Sequence, residues 1–221
     1  LAKEKWLTDV NNLREDIQKL PQTSFTEDSR RQVRSFQIGG TQAQNAHSGS
    51  PLVTTPQIDA DKRTGIDLLS SWTPRGLILR RVSATMARVA KTYMPDGARV
   101  NAKHIAQNEG RDLCASKVFQ RLQVTMGTAT AHKDHQDIHN GCCITMPMHA
   151  VHVDATTNKS HSSQLHVWDE SGTRHKLRIQ TGDMVIFRSK QVKHCVRCRT
   201  KERCSIVGYT KKRVSPLGFE A

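Results

Sequence analysis

The pattern of hydrophobic residues changes along this chain, and the change limits the fold to a mixture of helices and a β core. Before about residue 110, apolar residues recur at steps of three and four, the period of an amphipathic helix. Later, short runs alternate between apolar and polar side chains and are separated by polar turns, which is typical of half-buried strands. Helices followed by a series of strands predict an α+β fold.

Two helical segments are predicted in the first half of the chain. One carries an apolar stripe from Trp6 to Leu20 and is stopped by Pro21, and the other spans residues 64–93. Residues 39–56 are rich in Gly, Ser, Thr, Gln and Asn without a period, and we expect a surface loop there. We therefore predict a single domain over residues 1–221, with a mainly helical and loop part at 1–110 and a β core at 111–214.

The β part is predicted to hold seven or so short strands. Apart from the segments around the histidines discussed next, they fall at residues 118–124, 142–153, 164–168, 176–179, 184–187 and 204–209. Strands of this number and length suit a sandwich or a jelly roll, and counting strands does not choose between β topologies.

Two histidines and one carboxylate stand in the order that non-haem iron sites use. His132 and Asp134 are two residues apart, so both side chains point the same way in an extended chain. His194 follows a predicted turn at Gly182-Asp183 and a buried strand, and should lie beside a strand within the β core. Two imidazoles and a carboxylate leave half of an octahedral Fe(II) open for other ligands.

Arg203 lies about nine residues after the second histidine, at the start of the next apolar run. A guanidinium at that place can bind a carboxylate bidentately, as a 2-oxoacid bound to the iron would require. Arg199 is a second candidate for the same role.

These residues resemble the TET/JBP family of Fe(II)- and 2-oxoglutarate-dependent dioxygenases, which oxidise the methyl group of 5-methylpyrimidines in nucleic acid. The resemblance covers roughly the C-terminal half and rests on residues 132–138, Gly182-Asp183, Lys193-His194, Arg203 and residues 209–212. It implies a double-stranded β-helix, or jelly-roll, core with the N-terminal helices packed outside it.

The resemblance also implies roles for individual residues. His132, Asp134 and His194 would be the catalytic metal ligands, and Arg203 would bind the far carboxylate of 2-oxoglutarate. Fe(II), 2-oxoglutarate and O2 are the implied cofactors.

Three further residues are assigned to the substrate. Asp137 matches a position that meets the target base, and Asn140 with Gly141 resembles a short Asn-Gly element after the metal motif. Lys211 stands where several family members have a histidine that contacts the base. Because lysine offers donors only, this departure leaves the preferred base open.

The leading hypothesis is oxidation of 5-methylcytosine in DNA to 5-hydroxymethylcytosine, with the extent of further oxidation left open. The methyl group of a stacked base cannot reach a buried metal, so the base must be flipped out or already single-stranded. Alternatives with the same metal site are a thymine hydroxylase and an N6-methyladenine demethylase. A catalytically inactive basic DNA-binding module and a protein hydroxylase of the same fold are further alternatives.

The charge of the chain agrees with a polyanionic partner such as DNA. It has 34 Lys and Arg against 20 Asp and Glu, a formal net charge of +14 and a pI near 9.9. A basic protein without such a partner is the alternative interpretation. No apolar run has the length of a membrane span, and no secretory pattern opens the chain, so we expect an intracellular protein, nuclear in a eukaryote, with no membrane and no obligate protein partner.

Six cysteines, two of them adjacent, are expected to be free thiols. Cys195, Cys198 and Cys204 lie close to His194 in sequence, so a structural zinc site is the competing metal hypothesis. The second Cys pair or His pair that such a site needs is missing from this stretch.

Overall fold

Helices and antiparallel sheets make up the computed structural model, which describes residues 2–18, 26–28, 33–41, 53–54, 74–108, 116–135, 137–149, 151–153, 160–197 and 203–211. The helices among them are α1 (Ala2–Gln18), α2 (Pro74–Tyr93) and α3 (Pro95–Asn108). The strands are β1 (Thr26–Asp28), β2 (Val33–Thr41), β3 (Val53–Thr54), β4 (Arg121–Gly127), β5 (Ala129–His132), β6 (Cys143–His149), β7 (Val151–Val153), β8 (Ser160–Ser162), β9 (Gln164–Trp168), β10 (Arg174–Arg178), β11 (Val185–Phe187), β12 (Lys193–Arg197) and β13 (Cys204–Tyr209).

Two antiparallel sheets form the β core. The major sheet has the order β1-β2-β4-β13-β6-β11, with β3 paired to β2, and the minor sheet has the order β10-β9-β12-β5. β7 and β8 form a separate ribbon. One cavity is lined by side chains of both sheets, so the sheets enclose it between them. The α+β class and the jelly-roll core are confirmed.

The helices pack on the outside of the major sheet. Val10, Leu13 and Ile17 of α1 are fully buried in one hydrophobic cluster that also contains residues of α2, β4, β6 and β13. Arg81 of α2 donates from Nε and Nη2 to the carboxylate oxygens of Asp9, at 2.9 and 2.6 Å. The apolar side of α1 that the sequence predicted therefore packs against the core. Residues 19–20 and 64–73, which the helical predictions also covered, lie outside the described residues.

One helix was not predicted. α3 begins at Pro95, two residues after α2 ends, and has Asp96 in its first turn. Proline is favoured at the first helical position, and a carboxylate there suits the positive end of the helix dipole. The sequence therefore contained a start signal at Pro95 and Asp96, although the prediction ended the helical segment at residue 93.

The β core extends further towards the N terminus than predicted. β2 pairs with β4 along its length, from Val33 opposite Gly127 to Gly39 opposite Arg121, so it belongs to the major sheet. Residues 39–41 end this strand and 53–54 form β3, where a loop was expected. Backbone pairing with a neighbouring strand supplies the hydrogen bonds even where the side chains favour turns, which is why composition alone was misleading.

No helix among the described residues has the length and apolar character needed to cross a membrane.

The packing of α1 predicts a stability difference between two adjacent positions. Leu13→Ala should lower the free energy of unfolding by about 2–5 kcal/mol, because it removes a fully buried side chain. Asn12→Ala, on the exposed side of the same helix, should change it by less than about 0.5 kcal/mol. Urea denaturation of both variants checks this, and equal, small changes would show that α1 is not part of the core.

Candidate metal centre

Neighbouring strands of the minor sheet position the two histidines. β5 ends at His132, and the pairing of β5 with β12 sets His132 directly opposite His194. Beyond the strand, the backbone N–H of Asp134 donates to the carbonyl of Ser189 at 3.1 Å, which holds the carboxylate close to both rings. One ligand atom from each of His132, Asp134 and His194 lies within 4.8 Å of the others. The structure thus brings together the three predicted ligands.

Hydrogen bonds to backbone carbonyls select the tautomer of both imidazoles. Nδ1 of His132 lies 2.6 Å from the carbonyl oxygen of Thr130, and Nδ1 of His194 lies 3.0 Å from that of Val192. A carbonyl oxygen only accepts, so Nδ1 carries the proton in each neutral ring and Nε2 keeps its lone pair. Each Nε2 lies 3.5 Å from one oxygen of Asp134. Metal-binding histidines are commonly oriented in this way, with the second ring nitrogen bonded to a carbonyl.

The donor set fits a divalent metal with open coordination positions. Two neutral imidazole nitrogens and one carboxylate match the facial set of non-haem Fe(II) sites. A catalytic zinc ion can use a similar set, so the three ligands alone do not select the metal. The residues that line the cavity beside these three ligands are the second feature that bears on which metal and co-substrate the site suits.

That cavity has a volume of about 380 Å³ and lies between the sheets. This volume suits a small-molecule ligand. Leu165, Phe187 and Val196 form apolar parts of its wall, and Gln123, Thr125 and Tyr209 contribute polar parts from the major sheet.

Arg203 is buried in the wall of this cavity, just before β13. Its Nη1 donates to the carbonyl of Gly127 at 2.9 Å, and its Nη2 donates to the hydroxyl of Ser205 at 2.7 Å. The same hydroxyl lies 2.8 Å from that of Thr125, so the guanidinium is held in a defined orientation. A cation fixed in the cavity that holds the metal ligands fits a 2-oxoacid, and the site therefore supports the implied Fe(II), 2-oxoglutarate and O2. Arg199 lies outside the described residues.

Asp137 and Lys211 also line the cavity. The backbones of these two residues form an isolated antiparallel bridge, and the Asp137 carboxylate accepts a hydrogen bond from the Ser189 hydroxyl. Burial, and then the negative charge of Asp134, raise the pKa of Asp137 to about 7, against the lowering effect of Ser189 and Lys211. A cationic donor and a carboxyl group thus share this part of the cavity.

Asn140 is not among the residues that line the cavity. Its backbone has a φ of 59°, and its side-chain oxygen accepts a hydrogen bond from Nε2 of Gln191 at 3.1 Å on the exposed surface. A Cβ at the neighbouring Gly141 would lie 2.3 Å from Oδ1 of Asn101 and 2.3 Å from Cγ2 of Ile138. The Asn-Gly element therefore shapes the turn after the metal motif, and its predicted substrate contact stays a prediction.

The sequence analysis did not predict some residues of the site. Tyr209 donates its hydroxyl to Oε1 of Gln123 at 3.0 Å across the cavity wall, and Ser189 positions both Asp134 and Asp137. Gln123 and Thr125 stand two apart on a buried strand, so alternation alone could have placed them on one face. Nothing in the sequence near Ser189 indicates its role.

The competing zinc hypothesis finds no support in the described part of the chain. Among those residues, the one group of three or more potential ligands is the His132, Asp134 and His194 set. Cys195 lies on β12 of the minor sheet, Cys204 lies in the main hydrophobic cluster, and Cys198 is not described. Cys142, Cys143, Cys195 and Cys204 are buried free thiols.

Comparisons with known proteins relate the chain to others by structure. No protein-family model matches the sequence, and no curated protein matches it either. The fold is similar to that of NgTET1 in complex with 5mC DNA, with a TM-score of 0.56 and 13% identity over 92% of this chain and 67% of that chain. Weaker likenesses are to a Pseudomonas putida prolyl-4-hydroxylase (TM-score 0.46, 12% identity, 94% of this chain and 88% of that one) and to an oxidoreductase of the 2OG-Fe(II) oxygenase family from Burkholderia pseudomallei (TM-score 0.45, 15% identity, 94% and 82%). At these identities the likeness to NgTET1 establishes a shared jelly-roll fold.

The geometry predicts that metal binding depends on Asp134. Asp134→Ala should lower the affinity for Fe(II), measured by anaerobic calorimetry, by more than about 100-fold, because changes to residues that merely support metal ligands already cost about 10–100-fold. Asp169→Ala is the matched control, because Asp169 lies in the turn between β9 and β10 and does not line the cavity. Equal affinity of the two variants would contradict the assignment.

Proposed function

We propose that this chain is an Fe(II)- and 2-oxoglutarate-dependent dioxygenase that oxidises the methyl group of 5-methylcytosine in DNA, with 5-hydroxymethylcytosine as the first product. One observation carries the proposal: His132, Asp134 and His194 gather at ligand distances in the cavity whose wall contains Arg203. A metal-binding face and a buried carboxylate-binding cation in one cavity are what a 2-oxoacid-dependent oxygenase requires.

The residues have distinct tasks in this reaction. His132, Asp134 and His194 hold the metal, and Arg203 orients the far carboxylate of 2-oxoglutarate. When bound, Fe(II) with 2-oxoglutarate and O2 supplies the oxidation of a C–H bond to C–OH, coupled to conversion of the 2-oxoacid to succinate and CO2. Leu165, Phe187 and Val196 line the cavity with apolar surface and keep bulk water away from the substrate methyl group.

The polar residues of the cavity suit a cytosine base. Above its pKa of about 7, Asp137 is ionised and accepts from the exocyclic amino group of cytosine, and Lys211 donates to an acceptor on the same base edge. Thymine has an acceptor in place of that amino group, so an ionised Asp137 disfavours it. The substrate base must be flipped out of the duplex or single-stranded to reach this position.

Two general observations support DNA as the substrate. The net charge of +14 favours a polyanion, and the structure with the similar fold, NgTET1, contains 5mC DNA. Thymine and N6-methyladenine are the alternative bases, and an inactive binding module is the alternative function. Nucleoside analysis of treated DNA separates these alternatives.

We expect 5-hydroxymethylcytosine to form when 5-methylcytosine DNA is incubated with the protein, Fe(II) and 2-oxoglutarate. Mass spectrometry of the nucleosides measures it, with thymine-only DNA and N6-methyladenine DNA treated in parallel. Asp134→Ala should abolish the product and Asp169→Ala should retain it. Modification of a different base would refute the assignment to cytosine, and DNA binding without any modified base would refute the proposed activity.

Asp137 should determine the preference between bases. Asp137→Asn keeps the size of the side chain but replaces a carboxylate that accepts from the cytosine amino group. The ratio of kcat/KM for 5-methylcytosine to that for thymine should fall about 10- to 100-fold, the range given by losing one base-specific contact. Asp183→Asn, in the turn before β11, is the control. An unchanged ratio in Asp137→Asn would mean that this residue does not contact the base edge.

A further inference from the structure

The minor sheet has a second face, on the side away from the cavity. His194 and Val196 of β12 line the cavity, so the alternating residues Lys193, Cys195 and Arg197 point to the opposite side. The same argument applies to β9, where Leu165 lines the cavity. We call this opposite side the outer face of the minor sheet.

The outer face carries two lines of cations. Strand pairing places Arg178, Gln164 and Arg197 in one row, Lys176, His166 and Cys195 in the next, and Arg174, Trp168 and Lys193 in the third. Arg174, Lys176 and Arg178 follow one another along β10, and Lys193 and Arg197 lie along β12. All five cationic residues are exposed. Rows repeat at about 6.6–6.8 Å and the two lines lie about 10 Å apart, as the spacing of strands requires.

Neutral residues fill the space between the two lines. His166 is buried, its Nε2 lies 3.1 Å from Oε1 of Gln164, and its ring meets that of Trp168 edge-on with centroids 6.5 Å apart. Burial, followed by the positive charges of Arg174, Arg197 and Lys176, lowers the pKa of His166. The ring is therefore neutral at physiological pH, and the cations surround an uncharged floor.

Acidic residues do not balance this charge in the part of the chain that the structure describes. None of the five cations forms an ion pair with a described carboxylate. Asp169, in the turn at one end of the face, already binds Nε2 of His175 at 2.7 Å and the hydroxyl of Ser171 at 2.6 Å. Five exposed like charges repel one another, and an anion with several evenly spaced charges would relieve that repulsion.

We propose that the outer face of the minor sheet binds the phosphates of a nucleic-acid backbone, at a site separate from the metal cavity. Two lines of exposed Lys and Arg match the repeated phosphates of such a backbone, and contacts of this kind require no particular base sequence. A membrane-binding face would present large apolar side chains among its cations, whereas here Trp168 is half-buried and Nζ of Lys193 lies 5.3 Å from its ring centroid. The face would keep the protein on DNA irrespective of the base held in the cavity.

Charge neutralisation on this face tests the proposal. The triple variant Arg174→Gln, Lys176→Gln, Arg178→Gln removes one line of cations from an exposed edge strand. Its control, Arg88→Gln, Lys91→Gln, Lys103→Gln, removes three exposed cations from α2 and α3, so both proteins have the same net charge. Circular dichroism and thermal unfolding confirm that each variant is folded.

The probe is unmodified DNA, as a short duplex and as the corresponding single strand, without Fe(II) or 2-oxoglutarate. We expect the β10 variant to bind at least about tenfold more weakly than the control at low salt, with the slope of log K against log salt reduced by about 2–3.

Equal losses in the two triple variants would overturn the proposal, because net charge alone would then explain binding. Unchanged DNA affinity in the β10 variant would also overturn it, and a selective loss of binding to vesicles of anionic lipid would assign the face to a membrane instead. These measurements use unmodified DNA and no activity readout. Failure to oxidise 5-methylcytosine would therefore refute the proposed function and leave this result unaffected.

Discussion

Backbone pairing between β5 and β12 places His132 opposite His194, and the geometry of the cavity follows from that pairing. The same chain segments supply the carbonyl oxygens of Thr130 and Val192, which select the tautomer of the two rings. Ser189, shortly before β12, holds the backbone of Asp134 and the side chain of Asp137. One strand pair and the loop that leads into it therefore orient the ligands and connect the metal site to the proposed base-binding residue.

The two sheets differ in what covers their outer sides: helices cover the major sheet, whereas cations on the outer side of the minor sheet are exposed. α1 and α2 pack on the major sheet and bury its outer side in the main hydrophobic cluster. The major sheet contributes Thr125 and Tyr209 to the cavity wall, and Arg203 lies just before its strand β13. The minor sheet carries the two histidines inside and exposed cations outside. Within β12, adjacent residues thus face the proposed metal site and the proposed phosphate-binding face, as alternation in a strand permits.

The sequence predicted much of this arrangement, for identifiable reasons. The His-x-Asp spacing indicated the first two proposed ligands. β9 and β13 were predicted with the bounds that the structure has, because apolar residues alternate along β9 and form most of β13. The end of β2 was not predicted because pairing with β4 at Gly39 and with β3 at Gly40 and Thr41, and not the Gly- and Thr-containing composition, makes residues 39–41 a strand. Ser189 and the orientation of Asn140 depend on contacts between distant segments, which one sequence does not contain. The structure places Lys211 in the cavity beside Asp137, and its role toward the substrate stays a prediction.

The central claim is that one cavity holds Fe(II) and 2-oxoglutarate together, and calorimetry of 2-oxoglutarate binding tests it most directly. The titration is done anaerobically with and without Fe(II), on the unaltered protein, on Arg203→Met and on Arg199→Met. We expect binding that requires the metal, is weakened by about 2–5 kcal/mol in Arg203→Met and is unchanged in Arg199→Met, because removing a buried charge partner costs that much. Binding that is independent of the metal, or that survives in Arg203→Met, would contradict the account.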